Sequence, residues 1–332
     1  MEEKIKIYIP DSINNILLKD MERFEFYKKD GSLNRNEFYN TLIINYYEQY
    51  EESQSSLFSH IKETISERSS LEENRISDIA ADILQYVDVK TYHLDKEKFD
   101  VSISIKPTRK SSDDISYIQS CLLGNSTLSN YFRNMFASYS LLPQDKRETI
   151  IFKENFDRIN EAINKQRKIY FRMSSSEKPH IVSPYKIANS KEELYNYLLC
   201  QNNELPRCFR VGRMRQIKIL NESSDFKETI VSDLEKMARY GPQFAYESDH
   251  GPIKVKLTPK GQKQYRAMYL HRPQYFRIED DIYYFDCSRE QAFQYFSRLG
   301  SNALILEPQD LRDDMHRFFS SAEYRYRRSD RE

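Results

Sequence analysis

The sequence predicts an α+β protein in which three parts follow one another along the chain. Two strictly alternating segments, 4–10 and 101–107, are each followed by helical patterns. A central stretch, 179–220, contains three short strand-like runs and many arginines, and beyond it strands alternate with helices. We therefore expect three domains, with boundaries at 1–145, 146–221 and 222–332.

Charge and cysteine content narrow the class of protein. The first 150 of the 332 residues carry 19 basic and 25 acidic side chains, whereas the rest carry 32 and 26. Attraction for nucleic acid should therefore reside mainly in the second half. The four cysteines have neither zinc-site spacing nor a disulfide framework, and no segment is typical of a signal peptide or a membrane span. These features predict a soluble cytoplasmic protein with no metal and no membrane association.

The first alternating segment, 4–10, should be a strand whose isoleucines face a core. A helix is expected over about 11–27, then a turn at Gly31, then a second helix that a capping box beginning at Asn34 would open. The side chains that this strand would turn outward are Lys4, Lys6 and Tyr8.

The same succession recurs later in the chain. Segment 101–107 alternates like the first strand, a helix capped by Ser111 or Ser112 should follow it, and a further helix is expected over 128–141. Between the copies, 54–88 reads as two acidic amphipathic helices that cover the domain. Strand, helix and helix in this order resemble the ribbon-helix-helix family, whose two-stranded ribbon enters the DNA major groove. We predict two copies, 4–50 and 100–141, that pair within one chain; the alternative is that so common a succession recurs by chance.

A helix is expected from about 147 to 167, and it leads into the arginine-rich strands. No Asp or Glu falls between Glu204 and Glu222. Because the planar guanidinium group pairs bidentately with phosphate, such strands suit a polyanionic ligand.

These strands resemble the WYL domain, an Sm-like small β-barrel of bacterial regulators. The resemblance rests on four segments in the family's order, 169–172, 182–187, 196–198 and 207–214. The name-giving tryptophan is absent, since the chain contains none.

The next region combines cations with aromatic rings. From His250 to Ile278 there are seven basic residues and no acidic one, and tyrosines and phenylalanines lie among them. Rings that stack on bases and cations that contact the backbone are typical of single-strand binding, although the rings could instead be core. The residues expected to bind nucleic acid are Tyr170, Tyr185, Lys186, Arg207, Arg210, Arg213, Arg215, Lys254 and Lys256.

The C-terminal part, from 253 onward, follows the order β-α-β-β-α-β of a ferredoxin-like domain. In segments 297–300 and 307–312 it also resembles the C-terminal extension that follows many WYL domains. Its strands 274–278 and 281–287 carry tyrosine and phenylalanine that one face would leave exposed. We expect this domain, 222–332, to form a homodimer, because a symmetric partner is the simplest cover for such a face.

Catalysis is not expected. The chain has only 7 glycines, none in a phosphate-binding loop, and its 6 histidines are scattered. We therefore predict a protein that is not an enzyme, with no catalytic residues and no cofactor.

A WYL domain behind a ribbon-helix-helix-like region resembles the WYL accessory proteins of type VI-D CRISPR systems, whose effector is an RNA-guided RNA nuclease. The resemblance implies binding of single-stranded RNA and modulation of that nuclease. One alternative is a transcriptional regulator that binds duplex DNA and senses a ligand. Another is a dimeric scaffold for a protein partner. The acidic first half weighs against duplex DNA, because neutralising phosphates dominates that affinity.

Overall fold

The computed structural model describes residues 4–91, 98–123, 126–246 and 251–329. They form two compact units, Met1–Lys153 and Glu154–Glu332. Both contain helices and antiparallel strands, so the predicted α+β class is confirmed.

The first unit is mainly helical. In chain order its elements are β1 (Ile5–Ile9), α1 (Asp11–Arg23), α2 (Arg35–Arg68), α3 (Glu73–Thr91), β2 (Val101–Ile105), α4 (Ser112–Tyr117) with a π-helical turn (Ile118–Leu122), α5 (Leu128–Leu141) and α6 (Gln144–Ile151).

Two helices differ from the sequence prediction. Helix α2 continues without a break to Arg68, where the sequence predicted a new helix near residue 54. No glycine or proline interrupts this stretch, so nothing ends the helix there. The single helix expected over 147–167 is instead two, because the chain turns at Phe152, whose ring packs edge-on against Phe24 at 5.6 Å. The first unit ends after α6, at Lys153.

Strands β1 and β2 pair antiparallel, with Ile7 opposite Ile103 and Lys6 opposite Ser104. We call this pair the β1–β2 ribbon. Its isoleucines at 7, 9, 103 and 105 are buried, and Lys4, Lys6 and Tyr8 are exposed, as the alternation predicts. Asn40 of α2 fixes the end of β2, since its side-chain amide donates to the Lys106 carbonyl at 3.1 Å.

A buried ion pair joins three helices of this unit. Arg147 of α6 donates from Nε and Nη2 to the two oxygens of Asp20 in α1, at 2.6 and 3.1 Å. The Tyr139 hydroxyl of α5 donates to the same carboxylate at 2.9 Å. Burial and the Asp20 charge raise the pKa of Tyr139 well above its ordinary value, so the phenol remains a donor at neutral pH.

The second unit contains two antiparallel sheets. Its first part runs α7 (Lys153–Asn164), β3 (Arg167–Met173), β4 (Ser176–Asn189), β5 (Asn196–Asn202), β6 (Leu205–Arg210), a 3₁₀ turn (Val211–Arg213), β7 (Met214–Ser223) and α8 (Glu228–Tyr240). The strands lie in the order β6-β5-β4-β3-β7. Helix α8 packs Leu234 and Met237 against Ala188 and Leu199 of this sheet.

The remainder has its own core. It runs β8 (Ile253–Leu257), α9 (Pro259–Ala267), β9 (Tyr275–Glu279), β10 (Ile282–Phe285), α10 (Arg289–Phe296), β11 (Ala303–Glu307) and α11 (Gln309–Ser329). The strand order is β11-β8-β10-β9, so β10 lies between the two strands that α9 connects. Val255, Tyr283 and Ile305 are buried in the core that the helices share, whereas Lys256 and Leu304 on the opposite face are exposed.

The Asp20–Arg147 pair gives a stability prediction. Asp20→Ala should lower the free energy of unfolding by about 3–5 kcal/mol, because it leaves the Arg147 guanidinium buried without its carboxylate. Urea denaturation followed by circular dichroism measures the change. The double variant Asp20→Ala/Arg147→Met should recover part of the loss; equal stability of the single variant and the parent would contradict the role given to the pair.

Candidate nucleic-acid interface

Strands β3 and β7 bring four of the relevant side chains together. Tyr170 lies opposite Lys218, and Arg172 lies opposite Arg215. Residues two apart on a strand share a face, so Tyr170 and Arg172 point to the same side. A register shift, with Gln216 at φ 56°, brings Arg215 rather than Gln216 opposite Arg172. We call Tyr170, Arg172, Arg215 and Lys218 the β3–β7 patch.

Hydrogen bonds to nearby groups position the two arginines of the patch. Arg172 Nε donates to the Tyr170 hydroxyl at 2.9 Å, and Arg215 Nη1 donates to the carbonyls of Gly212 and Met214 at 2.7 and 2.9 Å. In the part of the chain that the structure describes, neither Arg172 nor Lys218 forms an ion pair with a carboxylate. Their charge is therefore not offset locally.

A shallow cavity of about 350 Å³ opens beside the two arginines. It is lined by Arg172, Arg215 and the serines of the β3–β4 turn, Ser174, Ser175 and Ser176. Guanidinium groups and hydroxyls are the donors that bind phosphate oxygens in proteins. This combination suits a phosphate group.

The arginines of β6 are held differently. The Arg210 guanidinium lies 3.2 Å from the centre of the Tyr195 ring, so it is stacked on that ring. Arg207 donates to the carbonyl of Pro206 at 3.2 Å. Arg213 lies exposed in the turn that joins β6 to β7. These predicted residues border the β3–β7 patch along the chain, while β6 and β7 are at opposite ends of the strand order.

Tyr185 and Lys186 both lie beside Glu235 of α8. The Tyr185 hydroxyl donates to Glu235 Oε1 at 2.8 Å, and Lys186 Nζ lies 3.6 Å from the same oxygen. Burial and Glu235 raise the pKa of Tyr185 above its ordinary value, which keeps the phenol protonated. Both side chains thus contact helix α8.

Lys254 and Lys256 lie on β8, in the other sheet of the unit. Lys254 pairs with Glu307 at 2.7 Å, and Lys256 pairs with Asp281 at 3.1 Å. The stretch without acidic residues in the sequence is therefore not free of acidic neighbours in space. Of the rings in that stretch, Tyr265 is core at 6 % exposure, whereas Phe276 is 61 % exposed.

The ribbon residues lie in the first unit. Lys6 Nζ is 5.1 Å from the centre of the Tyr8 ring, and the residues paired with Lys6 and Tyr8 are Ser104 and Ser102. The outward face of the ribbon is therefore polar and moderately basic.

Sequence reasoning did not select Arg172 and Lys218 as binding residues. Both stand in segments that it had identified, 169–172 and the acid-free run after Glu204. Because Arg172 is two residues from Tyr170 on the same strand, alternation could have indicated that both share a face. The proximity of Lys218 and Arg215 to them depends on the pairing of β3 with β7, which no local pattern in the sequence encodes.

Metal binding finds no support in the described ranges. Within them, no three His, Cys, Asp or Glu side chains are arranged to hold a metal ion. None of the helices there combines the length and the apolar composition that crossing a bilayer requires.

The four cysteines differ in burial, and this difference can be tested. Cys121 is exposed, whereas Cys200 and Cys287 are buried. Burial raises the pKa of Cys208 to about 12 and also raises the pKa values of Cys200 and Cys287. Since the thiolate is the nucleophile, we expect only Cys121 to react rapidly with a disulfide reagent at about pH 8.

The absorbance of the released thiol counts the cysteines that react. Cys121→Ser should abolish the fast phase of this reaction. A second cysteine that reacts equally fast would contradict the burial of the others.

Comparisons with known proteins agree with this architecture. The WYL domain family model matches residues 154–219. A solved structure titled "Crystal structure of a CRISPR Cas-related protein" is 22 % identical, with a TM-score of 0.67 over 99 % of this chain and 95 % of that chain. Proteasome accessory factor B/C (PafBC) of Arthrobacter aurescens is 14 % identical, with a TM-score of 0.25 over 69 % of this chain and 38 % of that one. A search of curated proteins found no match. The chain thus shares the fold of the CRISPR Cas-related protein, and its residues 154–219 are similar to the WYL domain.

Proposed function

We propose that the protein is a non-catalytic accessory protein that binds single-stranded RNA and modulates an RNA-guided CRISPR RNA nuclease. The observation that carries RNA binding is the direct cross-strand pairing of Arg172 with Arg215. Like charges directly opposite each other destabilise a sheet, and a phosphate bound between them would offset that repulsion.

The rest of the β3–β7 patch fits a nucleotide chain. Tyr170 supplies a ring on which a base can stack, and Lys218 lies opposite it to contact the backbone. Arg213, exposed in the turn that precedes β7, extends the basic surface toward the next nucleotides. Single strands suit this surface better than duplexes, because their bases are free to stack.

The CRISPR part of the proposal rests on similarity. The WYL domain occupies the middle of the chain, and a protein of the same fold is titled CRISPR Cas-related. Modulation of the nuclease would follow if the accessory protein and the effector hold the same RNA strand.

The finer architecture is also part of the proposal. We assign the first unit to a ribbon-helix-helix-like pseudo-dimer, which the intrachain pairing of β1 with β2 supports. A helix followed by five strands in the order β6-β5-β4-β3-β7 supports an Sm-like domain. The order β11-β8-β10-β9, with α9 joining the strands on either side of β10, supports a ferredoxin-like one.

A duplex-DNA regulator is the second candidate. It is favoured by the exposed face of the β1–β2 ribbon, with Lys4, Lys6 and Tyr8 pointing outward. Against it, the second strand offers Ser102 and Ser104 there, and the first 150 residues have more acidic than basic side chains.

The RNA-binding prediction concerns the two cations without carboxylate partners. Arg172→Ala with Lys218→Ala should weaken binding of a single-stranded RNA at least about tenfold, since each charge-assisted hydrogen bond contributes roughly 1.5–3 kcal/mol. The slope of log K against log salt should become shallower by about 1.4, which is 0.7 for each lost phosphate contact. Fluorescence anisotropy across a salt series measures both quantities.

Two controls make this test specific. Lys260→Ala with Lys263→Ala removes the same charge from exposed positions of α9 and should leave RNA affinity unchanged. Tyr170→Phe should retain stacking, whereas Tyr170→Leu should lose about 1–3 kcal/mol of it. If Lys4→Ala with Lys6→Ala abolishes tight duplex-DNA binding while the patch variants keep RNA affinity, the second candidate is correct.

We also propose that the protein is a homodimer through its C-terminal sheet. The face opposite the core exposes Leu304 to 49 %, and Lys256 and Ile282 lie beside Leu304 in the same register. Charged side chains of this face are paired with each other, as Lys254 is with Glu307. A second copy of the chain can therefore cover the face without burying many unpaired charges. The ribbon does not need a partner chain, since its two strands belong to one chain.

The dimer prediction uses a matched pair of leucines. Leu304→Asp should convert the dimer to a monomer, because a twofold axis places two buried carboxylates at one interface. Leu270→Asp makes the same change at a position of similar exposure, 45 %, outside the strands, and should leave the dimer intact. Light scattering after gel filtration reads the mass. A Leu304→Asp protein that remains dimeric would place the interface elsewhere.

A further inference from the structure

A second site of different character lies in the Glu154–Glu332 unit, where three of its parts meet around one cavity of about 650 Å³. The walls come from the end of β4 and the turn after it, from the last turn of α8, and from the segments that precede β9 and follow β10. A cavity of this size holds a ligand as large as a nucleotide.

The cavity is positively charged. Among the described residues, four cationic side chains and two anionic ones line it: Lys191, Lys236, Arg239, Arg272, Glu192 and Asp286. Two carboxylates can pair with at most two of the four cations. Here both carboxylates are already occupied by other groups, as their contacts show.

Asp286 is bound by two neighbours. The Tyr246 hydroxyl donates to its carboxylate, and Lys236 Nζ lies 3.2 Å from Asp286 Oδ2 and 3.0 Å from the Tyr246 oxygen. Burial and the hydrogen bond to Asp286 raise the pKa of Tyr246 to about 12, so the phenol is neutral at physiological pH. Lys236 and Asp286 therefore cancel each other.

Glu192 is bound by His271. Both of its carboxylate oxygens accept the backbone N–H of His271 at 2.9 Å. Arg272 donates to the carbonyls of Tyr265 and Arg266 at 3.4 and 3.2 Å, which positions its guanidinium without neutralising it. Lys191 and Arg239 are exposed, and within the described residues no carboxylate pairs with either.

Aromatic rings lie beside these cations. Tyr240 and Tyr275 are each 46 % exposed in the cavity lining. Tyr240 contacts no other aromatic ring in the described part of the chain, and the Arg239 guanidinium lies 5.9 Å from its centre. An exposed ring next to a cation is an arrangement that binds a flat base attached to a phosphate.

We propose that this cavity binds a nucleoside phosphate, with Lys191 and Arg239 contacting the phosphate and Tyr240 stacking on the base. The cavity is lined by none of the β3–β7 patch residues, so the site is separate from the proposed RNA surface and does not rest on it.

The test is calorimetric titration of the full-length protein with each of the four ribonucleoside 5′-monophosphates and triphosphates. At least one should bind, and inorganic phosphate and adenosine should each bind at least about tenfold more weakly than that nucleotide, because each carries half of the recognised groups. Lys191→Ala with Arg239→Ala should weaken the nucleotide at least about tenfold. Tyr240→Leu should weaken it, and Tyr240→Phe should not.

The controls separate this site from the RNA surface. Lys260→Ala with Lys263→Ala and Arg172→Ala with Lys218→Ala should both leave nucleotide affinity unchanged. The proposal is overturned if no nucleotide binds up to about 1 mM, if Lys191→Ala with Arg239→Ala has no effect, or if inorganic phosphate binds as tightly as the nucleotide. Loss of nucleotide binding only in the Arg172/Lys218 variant would also overturn it, because the nucleotide would then occupy the β3–β7 patch.

Discussion

The antiparallel pairing of β1 with β2 is the constraint on which the first unit depends. It joins two segments almost a hundred residues apart, and it places the isoleucines of both strands on one core with α1, α2 and α5. A shift of one residue would turn Ile7 and Ile9 to solvent, so the buried face fixes the register. Because the chain supplies both strands, folding of this unit is independent of protein concentration, and assembly is left to other surfaces.

Local patterns predicted the elements well, and long-range pairing less well. Alternation identified β1 and β2, and the Asn34 cap is present, with its side chain accepting the Glu37 amide. The order of strands and helices after residue 253 was also readable. The continuation of α2 was missed because polar residues with good helix propensity give no signal for a start or an end. The break at Phe152 depends on rings from distant segments, which no window of sequence contains.

The candidate site shows the same limit. A run without acidic residues indicated Lys254 and Lys256, but β11 brings Glu307 to one of them and the β9–β10 turn brings Asp281 to the other. Likewise α8 brings Glu235 to Lys186. Acidic neighbours that the fold brings close therefore decide which cations remain available to bind a phosphate. For this reason the proposed RNA site depends more on Arg172 and Lys218 than on the arginines of β6, although the latter are more conspicuous in the sequence.

The pairing of Arg172 with Arg215 links stability to the ionic surroundings. Salt screens repulsion between exposed charges, and a bound polyanion removes it. A ligand that binds only the folded chain also raises stability in proportion to the logarithm of its concentration over its dissociation constant. The melting temperature of this protein should therefore vary with buffer anions and with any nucleic acid retained during purification. Comparisons of stability between preparations require that both be held constant.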